Sequence, residues 1–108
     1  MFLKVRKEDI IDGLLKAANI IPAKTGAAYL RTVWLKAEGD TLAILATDSS
    51  IEFSGTYPAV SSEGGLVGVQ GKKFCDLIKR MPPGEILLKL DASGKHLHVE
   101  QGRRKYKL

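Results

Sequence analysis

One order of elements is written twice along this chain, and that duplication constrains the fold more than any single segment does. Phe2–Arg6 alternates as a short strand with Leu3 and Val5 on one face. The period then changes. Ile10, Ile11, Leu14, Leu15 and Ala18 recur at helical spacing over Glu8–Asn19, with Asp9, Asp12 and Lys16 on the other side. Glu8, Asp9 and Asp12 lie early, where acids favour a helix N-terminus, and Pro22 forbids much continuation. After a loop over Ile20–Ala28 come three strand-like runs, Tyr29–Ala37, Thr41–Thr47 and Ser50–Ala59, turned by Glu38-Gly39-Asp40 and Asp48-Ser49. Ser61-Ser62-Glu63-Gly64-Gly65 reads as a polar connector. Beyond it the order returns: a strand at Leu66–Val69, then a helix at Lys72–Met81 with Phe74, Leu77, Ile78 and Met81 on one stripe, stopped by Pro82-Pro83-Gly84. Runs at Glu85–Leu90, His96–Glu100 and Arg103–Leu108 complete it, divided by Asp91–Gly94 and Gln101-Gly102. Residues 1–60 and 66–108 are thus each a βαβββ unit. The duplication predicts an α+β domain with two helices packed on one face of the sheet.

A chain of 108 residues has room for one domain and one core. Its lone cysteine, Cys75, excludes an internal disulfide and predicts a reducing, cytoplasmic setting. Lys4, Arg6, Lys7, Glu8, Asp9 and Asp12 leave no room for a signal peptide or membrane span in the first 20 residues. The formal charge of +5 is unevenly placed. Arg103, Arg104, Lys105 and Lys107 crowd the end without an acid, and Lys72, Lys73, Lys79 and Arg80 face Asp76 alone over 72–80. Clustered cations are what a polyanion binds. At 100° per residue, Lys72 and Lys79 point away from the Phe74–Met81 stripe. With Lys16 and Lys24 they form a candidate phosphate-tracking surface, for which lysine's flexible point charge is suited.

Catalytic chemistry finds no support. No glycine-rich phosphate loop is present. His96 and His98 have metal-ligand spacing but no third ligand nearby, so the reading is two surface histidines on a strand and no metal site. Asp48 and Glu52 lack a nucleophile or metal partner and are expected to shape their turn. Cys75, beside Phe74 and Leu77, reads as a part-buried thiol. Trp34, Phe53 and Tyr57 sit in alternating strands, where core or sheet-surface packing is the default. No catalytic residue and no cofactor is assigned.

These residues resemble a known family. Val5, Glu8, Ile10, Ile11 and Leu14, then Gly39-Asp40-Thr41-Leu42, Thr47-Asp48 and Glu52, are similar to the first domain of the bacterial DNA sliding clamp, the beta subunit of DNA polymerase III. Lys72-Lys73-Phe74, Met81-Pro82, and Gly102-Arg103 with Tyr106 and Leu108 continue the likeness to the end. The resemblance implies a DNA-clamp fold in which residues 1–108 are the N-terminal domain and two further clamp domains are absent. It implies a head-to-tail, two-chain ring around duplex DNA that tethers the replicative polymerase, with polymerase and clamp loader bound through the absent domains. It implies a non-catalytic, cytoplasmic, nucleoid-associated bacterial protein with no membrane partner. Lys24, Lys72 and Lys79 match DNA-facing positions; Lys73, His96, Arg103, Lys105, Tyr106 and Leu108 match the edge that meets the partner subunit. The residues alone support the edge in part, since Tyr106 and Leu108 alternate with Lys105 and Lys107 on a terminal strand. A stand-alone nucleic-acid module using the 103–107 face, and an enzyme using a metal at His96, His98 and Asp48, are the alternatives.

Overall fold

The computed structural model describes residues 1–21 and 31–108. In chain order the elements are β1 (Phe2–Arg6), α1 (Lys7–Ile20), β2 (Thr32–Glu38), β3 (Thr41–Thr47), β4 (Glu52–Pro58), β5 (Val60–Glu63), β6 (Gly65–Gln70), α2 (Gly71–Arg80), β7 (Glu85–Leu90), β8 (Leu97–Gln101) and β9 (Arg104–Lys107). The α+β class stands, with the strands divided between two sheets. One has five strands in the order β5-β1-β7-β8-β9, and the other four in the order β4-β3-β2-β6. Each half therefore lends its first strand to the sheet of the other. β1 pairs with β7, and β6 pairs with β2, both antiparallel. Neither half can bury its apolar face alone.

Alternation builds both sheets. In β2 and β3, Val33, Leu35, Ala37, Leu42, Ile44 and Ala46 are buried, while Trp34, Lys36 and Glu38 turn outward. Leu3, Val5, Ile86, Leu88, Leu97 and Val99 do the same for the larger sheet. Trp34 lies on the outer face, stacked over Gly68 so closely that an added Cβ would meet the indole ring at 2.7 Å. Ser61–Glu63, expected as connector, is instead strand. β5 pairs with β1 through Lys4↔Val60 and Leu3↔Ser61, so the chain leaves one sheet at Pro58 and joins the other at Val60. After exposed Val60 its side chains are polar and mostly exposed, and only the backbone pairing marks it as a strand.

The helices run antiparallel to each other. Lys7, opening α1, donates from Nζ to the carbonyls of Lys79 and Met81 at the end of α2. Ile21, just past α1, lies against Gly71 at the start of α2, where an added Cβ would stand 2.4 Å from Ile21 Cδ1. α2 buries Phe74, Cys75 and Ile78, and Met81 follows them into the core. Burying a side chain such as Phe74 is worth about 1.5–3 kcal/mol. Leu77, expected on the same stripe, is half-buried. In α1 the buried line is Ile10, Gly13, Leu14 and Ala17, while Ile11, Leu15 and Ala18 only flank it. The face is rotated from the apolar stripe because Tyr57 of β4 rests on Gly13.

Candidate nucleic-acid interface and free sheet edge

Lys72 and Lys79 occupy the solvent side of α2, seven residues and about 10 Å apart along its axis. Lys16 is likewise exposed on α1. Among the described residues the ion pairs are the Met1 α-amino group with Glu63, Arg6 with Glu8, and Lys36 with Glu38. None engages Lys16, Lys72 or Lys79, so these ammonium groups are left to solvent or to an anion. Asp76 is the only acid on α2. Lys24 lies outside the described residues.

β9 is one edge of the five-stranded sheet, β5 being the other, and among the described residues it pairs only with β8, through Val99↔Tyr106, Glu100↔Lys105 and Gln101↔Arg104. All four of its residues are exposed. Tyr106, opposite buried Val99, shares the core-side face, whereas Lys105 and Lys107 stand opposite Glu100 and His98 on the outer face. The expected apolar row differs at its two members: Tyr106 remains 38% exposed, while Leu108 packs against the core. Leu108 is clamped by reciprocal backbone hydrogen bonds with Leu97 of 2.9 and 3.2 Å. His96 Nδ1 lies 3.2 Å from the Leu108 carbonyl, so this half-buried histidine braces the strand end.

Cations flank both ends of this edge. At the Leu108 end, Lys73 from the first turn of α2 shares a groove of about 380 Å³ with Lys95, Lys107, Leu97, Leu108 and the Val67–Gln70 stretch of β6. At the other end, Arg103 follows Gly102, whose φ of 58° suits glycine in the tight β8–β9 turn. Arg103 and Arg104 border a groove with Pro82, Pro83 and Gly84, held by a 2.8 Å hydrogen bond from Gln101 Nε2 to the Pro82 carbonyl. Of the six residues assigned to a subunit edge, Lys73, His96 and Leu108 lie at one end of β9, Lys105 and Tyr106 on it, and Arg103 at its other end. Lys95 was missed, because nothing local shows that the β7–β8 turn reaches the start of α2.

The charged groups with displaced ionisation are structural. Glu8 is held down to about 2 by its own backbone N–H, by Arg6 and by the Gly84 N–H, which donates over 2.9 Å. Asp48 accepts from the amides of Ile51 and Ser50 at 2.6 and 2.8 Å, which lowers its pKa and shapes the β3–β4 turn as expected. Asp91 is lowered chiefly by the Ser93 hydroxyl and organises the β7–β8 turn. Burial pushes the Cys75 thiol up, with Asp76 adding to it. Among the described residues, no three His, Cys, Asp or Glu side chains gather as a metal site. No helix there is long and apolar enough to cross a membrane.

An α+β domain of two interlocked sheets, with a cationic helix face and an open sheet edge, is the class defined by this geometry. The comparisons are specific about the family. The profile for the DNA polymerase III beta subunit, N-terminal domain, matches residues 1–108, and the chain belongs to that family. The beta sliding clamp of Synechocystis is 27% identical over 96 residues, covering 87% of this chain and 25% of the relative. That of Pseudomonas aeruginosa is 25% identical over 109 residues, covering all of this chain and 29% of the relative. Among solved structures, Caulobacter crescentus pol III beta superposes with a TM-score of 0.93 at 20% identity, over 99% of this chain and 29% of that one. The Helicobacter pylori beta clamp bound to a DNA ligase peptide gives 0.91 at 23% identity, over 99% and 30%. The chain spans less than a third of the length of these proteins.

Proposed function

We propose that this domain is one segment of a ring-shaped replication clamp that encircles duplex DNA and tethers the replicative polymerase, a non-catalytic, processivity-conferring role in the bacterial cytoplasm at the nucleoid. The observation that carries the reading is the β9 edge: a strand open on one side, with Tyr106 exposed and Lys73, Arg103 and Lys105 around it, on a chain of this family. An open strand edge favours strand addition, and its cations favour an acidic counterpart. In this reading Lys73, His96, Arg103, Lys105, Tyr106 and Leu108 meet the partner subunit head to tail. Lys24, Lys72 and Lys79 touch phosphates weakly and without sequence preference, which permits sliding while the closed ring prevents escape. Polymerase and clamp-loader peptides bind on the two further clamp domains of the full-length protein. No cofactor or metal takes part.

The test uses the full-length polypeptide. Arg103→Glu with Lys105→Glu is expected to shift the ring to single chains in sedimentation and to abolish its retention on circular DNA. Lys72→Glu with Lys79→Glu is expected to leave the ring closed but flatten the salt dependence of DNA binding. The log–log slope should fall by about 3.6, at about 0.9 for each of the four phosphates that a two-chain ring no longer neutralises. A ring unaffected by the first pair would overturn the edge assignment. Tight binding of single strands by the lone domain, abolished by Arg103→Glu, would favour the stand-alone module.

A further inference from the structure

The four-stranded sheet has one covered face and one bare one. On the covered side Leu35, Leu42 and Ile44 are buried, and Tyr57 of β4 rests on Gly13 of α1. Alternation and register turn Trp34 and Lys36 of β2, Ala43 and Leu45 of β3 and Leu66 of β6 to the other side. Trp34 stands in the middle of this bare face, with Leu45 as its partner on one side and Gly68 on the other. One side of the indole covers the Gly68 backbone, yet the residue is still 38% exposed. Packing accounts for the covered side of the ring. The open side is a flat aromatic surface in water, with the exposed Leu66 nearby.

Two grooves meet beside this ring, since both are bounded by Gly68, Val69 and Gln70. One, of about 340 Å³, adds Arg31 and Thr32. The other, of about 380 Å³, adds Lys73, Lys95 and Lys107. No carboxylate lines either groove. Arg31 is exposed, and among the described residues no ion pair engages it. Along β2 the acid nearest to Trp34 is Glu38, which is tied to Lys36 at 3.7 Å. A cationic path that ends on an aromatic face suits a ligand that is anionic along its length and planar in its side groups. An unpaired nucleic-acid strand is both. A duplex is not, because its base faces are already covered by one another.

We propose that the bare face of the four-stranded sheet at Trp34 is a second nucleic-acid site, one that takes an unpaired strand. A base stacks on the open side of the indole, and the phosphates that follow are held by Arg31 and then by the lysines of the adjoining groove. Such stacking tolerates any base, since every base has a flat face. The site lies on the side of the sheet away from α1, whereas the duplex contact proposed above uses the helix lysines Lys72 and Lys79. Of the residues on the path only Lys73 belongs to the proposed subunit edge. The two assignments are therefore tested by different variants.

Trp34 is the only tryptophan in the chain, so its fluorescence reports on this face directly. The 108-residue chain is titrated at low salt with an oligothymidylate of about eight nucleotides, a length within the range that small single-strand-binding domains cover. Saturable quenching of Trp34 is expected. Arg31→Glu, with folding checked by circular dichroism, should weaken binding about tenfold. Trp34→Ala, followed by anisotropy of a labelled strand, should weaken it about fivefold or more. Trp34→Phe keeps a ring to stack on and should bind more tightly than Trp34→Ala. Lys72→Glu with Lys79→Glu should leave the quenching at Trp34 in place. Absence of saturable quenching overturns the proposal, as does quenching that Arg31→Glu leaves unchanged. Equal quenching by an oligoglutamate of the same charge also overturns it, because the face would then read charge alone or take an acidic peptide.

Discussion

Replacing Gly13 by alanine poses a contest between two effects whose sizes are known. Gly13 lies in the middle of α1, where Gly→Ala ordinarily stabilises a helix by about 1 kcal/mol. Here a Cβ would stand 2.1 Å from Tyr57 Oη and 2.2 Å from Cζ, well inside contact distance. The ring must move by more than an ångström, and it has little room to do so. Gly55 on the other side would also meet the same oxygen at 2.3 Å if it bore a Cβ, so the phenol end is seated against two glycines. Overpacking of this kind costs about 1–3 kcal/mol, and displacing Tyr57 gives up part of its own burial as well. The net expectation for Gly13→Ala is destabilisation of about 1–2 kcal/mol, or a Tm lowered by about 4–12 °C for a domain of this size. In a Tyr57→Ala background the clash is gone and only the helix preference remains. Gly13→Ala should then stabilise by about 1 kcal/mol. Urea unfolding of the four proteins of this cycle gives both numbers. The same sign in both backgrounds would refute the argument that Tyr57, and not helix propensity, dictates glycine at this position.

Three other expectations follow from particular contacts. Glu8→Gln removes a carboxylate whose folded pKa is depressed, so the wild-type advantage is present above the ordinary value of 4.5 and fades as pH falls toward about 2. Melting temperatures of both proteins across pH 7 to 2 should converge at the acid end. Lys7→Met strips the ammonium from the Lys79 and Met81 carbonyls; a loss of about 1–2 kcal/mol is expected, with faster amide exchange in the last turn of α2. Cys75, buried and with its thiol pushed up, should react with a thiol reagent only at the rate of unfolding, and its modification should track urea concentration.

Much of the fold was legible because periodicity is a local property. The helical stripe of Phe74 and Ile78, the alternation of Val33 and Leu35 and the turn chemistry of Asp48 each follow from neighbours within a few residues. The same holds for Lys72 and Lys79, whose exposure follows from the stripe opposite them. Other features depend on residues far apart in the chain. Ser61–Glu63 has no apolar alternation, and only the backbone of β1 makes it a strand. The buried line of α1 passes through Gly13 because of Tyr57, which is 44 residues away. Cys75 is fully in the core because α2 packs where no local signal could place it. Lys73 and Lys95 share a groove, and Arg103 lies at the opposite end of the same border, because β7–β8–β9 folds back beside α2. The sequence by itself determined the elements, their duplicated order and the cationic helix face, since these rest on spacing along one chain. Only the tertiary structure decided that the halves exchange their first strands and that β9 comes to lie at a sheet edge. Strand pairing is satisfied by any backbone in register, and which one arrives is settled by the burial of both apolar faces together.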